Sequence, residues 1–87
     1  MEIIKELNNY LNIYKGNNDY HIELFLYDKN RRGKIIIDGN FEDLIKDERF
    51  VKDFENVIVK ILKEQIGSKD EIAADYDSGK IVIYFDY

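Results

Sequence analysis

The spacing of apolar residues changes period repeatedly along this chain, and that alternation limits the folds open to it. Residues 2–15 place Ile3, Ile4, Leu7, Tyr10, Leu11 and Tyr14 at steps of three and four, the stripe of an amphipathic helix. Gly16 follows where a left-handed residue would close the helix, and Asn17-Asn18-Asp19 continues as loop. From Tyr20 the period is two. Tyr20, Ile22, Leu24 and Leu26 alternate with His21, Glu23, Phe25 and Tyr27, which describes a strand. Asp28 to Gly33 is a polar turn ending in glycine, and Lys34 to Asp38 is a second strand, so the pair is a hairpin.

The longer period returns after Asn40, a candidate cap for a helix starting at Phe41. Glu42 and Asp43 fall in its first turn, where negative charge suits the helix dipole. The five-residue step from Ile45 to Phe50 breaks the stripe. It predicts a short first segment, a new cap at Asp47, and a long helix to about Ile66 that Gly67-Ser68 ends. Ile72–Tyr76 and Lys80–Asp86 flank Asp77-Ser78-Gly79 as a second hairpin, whose Gly79 can take a positive φ.

The order is therefore αββαββ, and the expected class is α+β: one domain over residues 1–87, a four-stranded, mostly antiparallel sheet packed by two helices. The first and fourth strands carry apolar residues on both faces. That places them at the sheet centre, in the order 2-1-4-3. The chain has no Cys, so packing alone must hold a core only slightly above the size where one suffices, roughly 70–80 residues. Leu24, Leu26, Ile83 and Phe85 are expected to pack against Leu7, Leu11, Phe54, Ile58 and Ile61.

Composition removes whole classes of function. Without Cys there is no disulfide framework, Cys zinc site or thiol nucleophile, and a lone His21 leaves no imidazole pair for a metal. His21 and Glu23 share a strand face, close enough for the carboxylate to orient the ring. A hydrolase would also need a nucleophile, and the chain offers two Ser in turns and no Thr. Asp75-Tyr76-Asp77-Ser78-Gly79 with Asp86 has some of the acids of a calcium loop. Its Gly comes one position early and its flanks are strands, so a hairpin turn is the better account. No glycine-rich phosphate loop is present. The expectation is thus no catalytic residue, no metal and no cofactor. No apolar run approaches the roughly 20 residues needed to cross a bilayer. The first residues mix acids with apolar side chains, unlike a signal or transit segment, so the cytoplasm is the expected location.

A net charge of −5 argues against direct, general binding to phosphate backbones. The charge is unevenly spread. Residues 38–55 hold seven acids against three bases, and Glu42, Asp43, Asp47, Glu48 and Asp53 are candidates for a partner-binding row that imitates nucleic-acid phosphates. Lys29, Arg31, Arg32 and Lys34 form a basic hairpin tip suited to phosphate or an acidic partner, the first three its core. The strand alternation turns Phe25, Tyr27, Val82 and Tyr84 away from the helices beside Glu23, Asp75 and Asp86. Aromatics ringed by carboxylates make a second candidate partner-binding surface. A heterologous protein partner, a homodimer stacked through the sheet, or the N-terminal helix crossing over would each cover it.

Ile, Lys, Asn and Tyr make up 39 of the 87 residues, and all four have A- and T-rich codons, which points to an AT-rich bacterial or phage genome. A small, acidic α+β domain of this kind without catalytic equipment resembles the phage-encoded inhibitors of bacterial defence, the anti-CRISPR proteins and DNA mimics. The resemblance lies in size, charge and element content, and it transfers no individual residue. It implies a non-catalytic inhibitor in the host cytoplasm that blocks a nucleic-acid-binding surface of a larger protein. A toxin-neutralising immunity protein and a homo-oligomeric structural or regulatory subunit fit the same features.

Overall fold

A computed structural model describes residues 2–69, 71–77 and 79–87. The elements in order are α1 (Glu2–Leu11), a 3-10 turn (Asn17–Asp19), β1 (Tyr20–Tyr27), β2 (Arg32–Gly39), α2 (Glu42–Ile45), α3 (Glu48–Ile66), β3 (Ile72–Asp77) and β4 (Lys80–Asp86). The strands form one antiparallel sheet in the order β1-β2-β4-β3. This is the α+β architecture that the alternating periods imply.

The interruption at Asp47 is real. Its carboxylate accepts a hydrogen bond from the Arg49 N–H at 2.9 Å and caps α3, while the four-residue α2 stands apart before it. Gly67 closes α3 in the left-handed region at φ 66°, and its N–H bonds back to the Lys63 carbonyl. Between these ends Phe50, Phe54, Ile58, Ile61 and Leu62 line one buried stripe. From α1, Ile3, Leu7 and Leu11 meet them. From the sheet come Ile35, Ile37, Ile81, Ile83 and Phe85, and all belong to one core with Phe41. Leu24 and Leu26, expected at its centre, are only half-buried at its margin.

That margin reflects a different strand order from the expected 2-1-4-3. The central strands are β2 and β4, and β1 is an edge. Ile35-Ile36-Ile37 carries apolar side chains on both faces, the mark of an interior strand, and Ile35 and Ile37 are wholly buried. Gly33 belongs to β2 rather than to the turn. The Phe85 ring covers it so closely that a Cβ there would overlap the ring. The turn's positive φ falls instead on Arg31, at 51°. Gly16, expected to close α1 in the left-handed region, is extended at φ −74° and leads into the 3-10 turn; α1 itself ends at Leu11. Ser78 in the second hairpin lies outside the described residues, so the expected backbone of that turn does too.

All three helices lie on the sheet face that carries Tyr20, Ile22, Ile35, Ile37, Ile81, Ile83 and Phe85. The idea that α1 crosses to the other face does not hold, because Ile3, Leu7 and Leu11 sit in this same core. Phe54 is fully buried between α1 and the neighbouring Phe50 ring, 5.6 Å away. Phe54→Ala should therefore cost about 3–5 kcal/mol, measurable as a fall in the urea midpoint. Gly33→Ala should destabilise too, by forcing Phe85 out of its rotamer.

Candidate functional site

The open face of the sheet gathers residues that sequence reasoning had placed on separate strands. Antiparallel register sets them in cross-strand rows. One row runs Phe25, Lys34, Tyr84, Ala73; the next runs Glu23, Ile36, Val82, Asp75. Beyond the first lie Tyr27, Arg32 and Asp86, and beyond the second His21, Asp38, Lys80 and Asp77. The outcome is an apolar band across the middle rows with charges at both ends. Tyr27 and Tyr84 are 47% and 45% exposed, the largest uncovered apolar side chains of the sheet.

The electrostatics of this face are mixed but biased. It carries five carboxylates (Glu23, Asp38, Asp75, Asp77, Asp86) and three cations (Arg32, Lys34, Lys80). Lys34 stands inside the apolar band with its ammonium 5.3 Å from the centre of the Phe25 ring, which stabilises the charge over an aromatic face. Arg32 lies 3.7 Å from Asp86 with both side chains well exposed, a pairing of small energetic value. A shallow concavity of about 570 Å³ opens at this end, bounded by Tyr27, Arg32, Lys34, Ala73, Tyr84 and Asp86.

The structure redistributes the basic tip. Arg32 belongs to the open face. Arg31 is engaged by Tyr87: its Nε donates to the Tyr87 carbonyl at 2.8 Å and its guanidinium lies 5.1 Å from the ring centre. The Tyr87 hydroxyl in turn donates to Asp28. Lys29 remains an exposed cation on the turn. Lys29, Arg31 and Arg32 therefore point to different tasks and do not form one patch.

The five candidate acids lie in the helical layer, on the other side of the sheet from the aromatics. Glu42 and Asp43 lie on α2, Asp47 and Glu48 open α3, and Asp53 lies a turn further on. All five are exposed in the helical layer, while Phe25, Tyr27 and Tyr84 face the other way. Three of the acids also have structural partners. Asp47 is the α3 cap, Glu42 sits 4.0 Å from Lys46, and Asp53 accepts the Tyr10 hydroxyl at 2.7 Å.

Ile36 is central to the open face and was missed by sequence reasoning, and Lys34, expected in the basic tip, stands beside it, because the expected order set β1 directly beside β4. The run of three isoleucines held the signal. His21 and Glu23 do share a face, with Nε2 and Oε1 3.8 Å apart, but both are exposed, and their nearest cross-strand neighbours are Asp38 and Ile36. Ser68 is buried and donates to the Asp86 carbonyl at 3.1 Å, tying the end of α3 to β4. Among the described residues no group of three His, Cys, Asp or Glu is placed to hold a metal ion, and no helix is long and apolar enough to cross a membrane.

Comparison with known proteins adds no relative: no family model, no curated protein and no solved structure matches this chain.

Two tyrosines report on the helical layer. Burial raises the Tyr10 pKa first, and donation to Asp53 raises it further; burial and donation to Glu55, at 2.6 Å, do the same for Tyr76. The fold thus favours the neutral phenols. Their stabilisation is complete below the unfolded tyrosine pKa of about 10 and is lost as pH rises toward the higher folded values. The melting temperature should fall above that pH, and the Tyr10→Phe, Tyr76→Phe double variant should show a flatter alkaline limb.

Proposed function

We propose that this protein is a non-catalytic binding module whose open sheet face occludes a basic, nucleic-acid-binding surface of a larger cytoplasmic protein, in the manner of the small anti-defence inhibitors it resembles. One observation carries the reading. A partly exposed band of Phe25, Ile36, Val82 and Tyr84, with Tyr27 at its end, is bounded by an excess of carboxylates on a face that no element among the described residues covers. Flat apolar and aromatic surface supplies the desolvated anchors of protein interfaces, and a charged rim supplies their specificity. Open sheets with exposed aromatics can also stack nucleic-acid bases. Here the five acids against three cations would repel phosphate, which favours a protein partner with a positive surface.

The placement of the acids divides the labour. Carboxylates on the open face would touch the partner. Those of α2 and α3 lie on the far side and would act only through the long-range field that steers encounter, an effect screened by salt. The immunity-protein reading shares this surface and differs in the partner, an enzyme toxin in place of a nucleic-acid-binding protein.

Binding kinetics against a captured partner test the proposal. Tyr84→Ala or Tyr27→Ala should raise koff by the ~30-fold that 2 kcal/mol implies. The pair Asp43→Lys, Glu48→Lys should lower kon modestly and flatten its salt dependence, with koff unchanged. Asp47 is left intact because its loss would uncap α3. A complex that tolerates both tyrosine replacements but dissociates on reversal of the helical acids would overturn the open face in favour of a helix-borne phosphate mimic.

A further inference from the structure

The two edges of this sheet are unlike. β3 is six residues long, carries Asp75 and Asp77, and Glu71 precedes it. Charge and shortness are the usual protections of an edge. β1 has neither. Its eight residues, Tyr20–Tyr27, pair without interruption against Gly39–Arg32 and include no Lys, Arg, Pro or bulge. Such an edge is a template for another strand.

The backbone directions at that edge follow from the bonds at the ends of β2. The Gly39 N–H donates to the Gly79 carbonyl at 2.7 Å, and the Tyr87 N–H donates to the Arg31 carbonyl at 2.8 Å. Odd-numbered residues of β2 therefore turn their polar groups toward β4, and Arg32, Lys34, Ile36 and Asp38 turn theirs toward β1. In an antiparallel ladder, bonded residues face bonded residues, so His21, Glu23, Phe25 and Tyr27 make the β1–β2 bonds. The N–H and C=O groups of Tyr20, Ile22, Leu24 and Leu26 point outward. Among the described residues no main-chain or side-chain group bonds to those of Ile22, Leu24 and Leu26. Leu24 and Leu26 are also only partly buried there.

We propose that β1 pairs antiparallel with β1 of a second copy of this chain, with the two-fold axis at Leu24, to make a continuous eight-stranded sheet. Self-complementarity selects the occupant and the register. With Leu24 opposite its own mate, Ile22 bonds Leu26 of the second copy and the reverse, giving about six main-chain hydrogen bonds. Glu23 then lies opposite Phe25 of that copy. One step away, with the axis at Glu23, the two Glu23 residues would stand directly opposite with their Cα atoms about 4.5 Å apart, a destabilising like-charge pair. With the axis at Ile22, the 3-10 turn at Asn17–Asp19 would have to extend to meet the end of the other β1. The Leu24 register also fills an open groove of about 730 Å³ between α1 and β1, where Ile4 and Ile22 stand beside Lys5, Asn8 and Asn12. Leu26 of the second copy enters it next to Ile22. The axis is perpendicular to the sheet, so both open faces lie on the same side and remain available. The inference is thus independent of what those faces bind.

The absence of Cys makes the test specific. Sedimentation equilibrium of the full chain should give twice the 10.4 kDa mass in the micromolar range. Leu24→Cys should oxidise to a disulfide-linked dimer, because a bonded antiparallel pair holds its Cα atoms about 5.5 Å apart, within disulfide reach. Ala73→Cys on β3 should not. Leu24→Pro removes an outward N–H and no bond of the monomer's ladder, and should raise the dimer dissociation constant at least about tenfold. Leu24→Lys, a charge on the edge, should do the same if the proline variant fails to fold by circular dichroism. A parent chain that sediments as a monomer overturns the proposal. So does a dimer that survives Leu24→Lys and is lost on Tyr84→Lys, which would be a face-to-face stack, or one cross-linked through Ala73 rather than Leu24.

Discussion

A sheet has two faces, and this chain has one helical layer with which to cover them. The stripes of α1 and α3, joined by Phe41 and the short α2, close over Ile35, Ile37, Ile81 and Ile83, which lose all contact with solvent. Without disulfides, that single layer of burial must offset the entropy of ordering the whole chain, so neither helix can be spared for the other side. The wet face follows from this shortage. Once the helices are committed, Phe25, Ile36, Val82 and Tyr84 have no cover among the described residues, and their chemistry decides what kind of cover they accept.

The helical half of this arrangement was legible in the sequence because its signals are local. The five-residue step before Phe50 announced the cap at Asp47, and Gly67 announced the end of α3. The assignment of residues to sheet faces was legible too, since a period of two fixes which side chains are neighbours on one side. Strand order was not. It depends on which strand is buried from both flanks, a relation between elements far apart in sequence. β1, with its aromatics, looked as apolar as β2. Gly33 misled in a similar way. Next to a polar turn, a glycine suggests a turn residue, and only the Phe85 ring across the sheet explains why a strand position must lack a side chain.

Charge shows the same limit. The acids of residues 38–55 and those beside the aromatics both lower the pI, and the sequence offers them as two candidate surfaces without saying how they lie relative to each other. In the fold Asp38 joins the open face while the others of residues 38–55 stand in the helical layer, and four of those have structural partners of their own: a helix cap, a lysine one turn on and two tyrosine hydroxyls. A carboxylate engaged in this way still contributes to the protein's field, but its replacement disturbs local structure as well as long-range attraction. Arg31 is the cationic counterpart, since its charge is held against the Tyr87 carbonyl and ring. Net charge describes how a partner is approached, and only position describes what it touches.

The unequal edges extend this logic from side chains to backbone. An edge strand left long, regular and uncharged invites indiscriminate pairing unless something limits the registers available. In β1 the single acid performs that role. Glu23 is tolerated opposite Phe25 and repelled opposite itself, so one residue excludes the nearest competing alignment while Leu24 and Leu26 favour the other. On β3 the alternation of Asp75 and Asp77 admits no comparable self-pairing, because most antiparallel registers of two β3 strands bring carboxylates together. The sheet is thus closed to its own kind on one side and selective on the other. A dimer built on the selective side would present two apolar bands in one plane, and a partner with a repeated or extended surface would then bind with an effective concentration that a single 87-residue chain cannot reach.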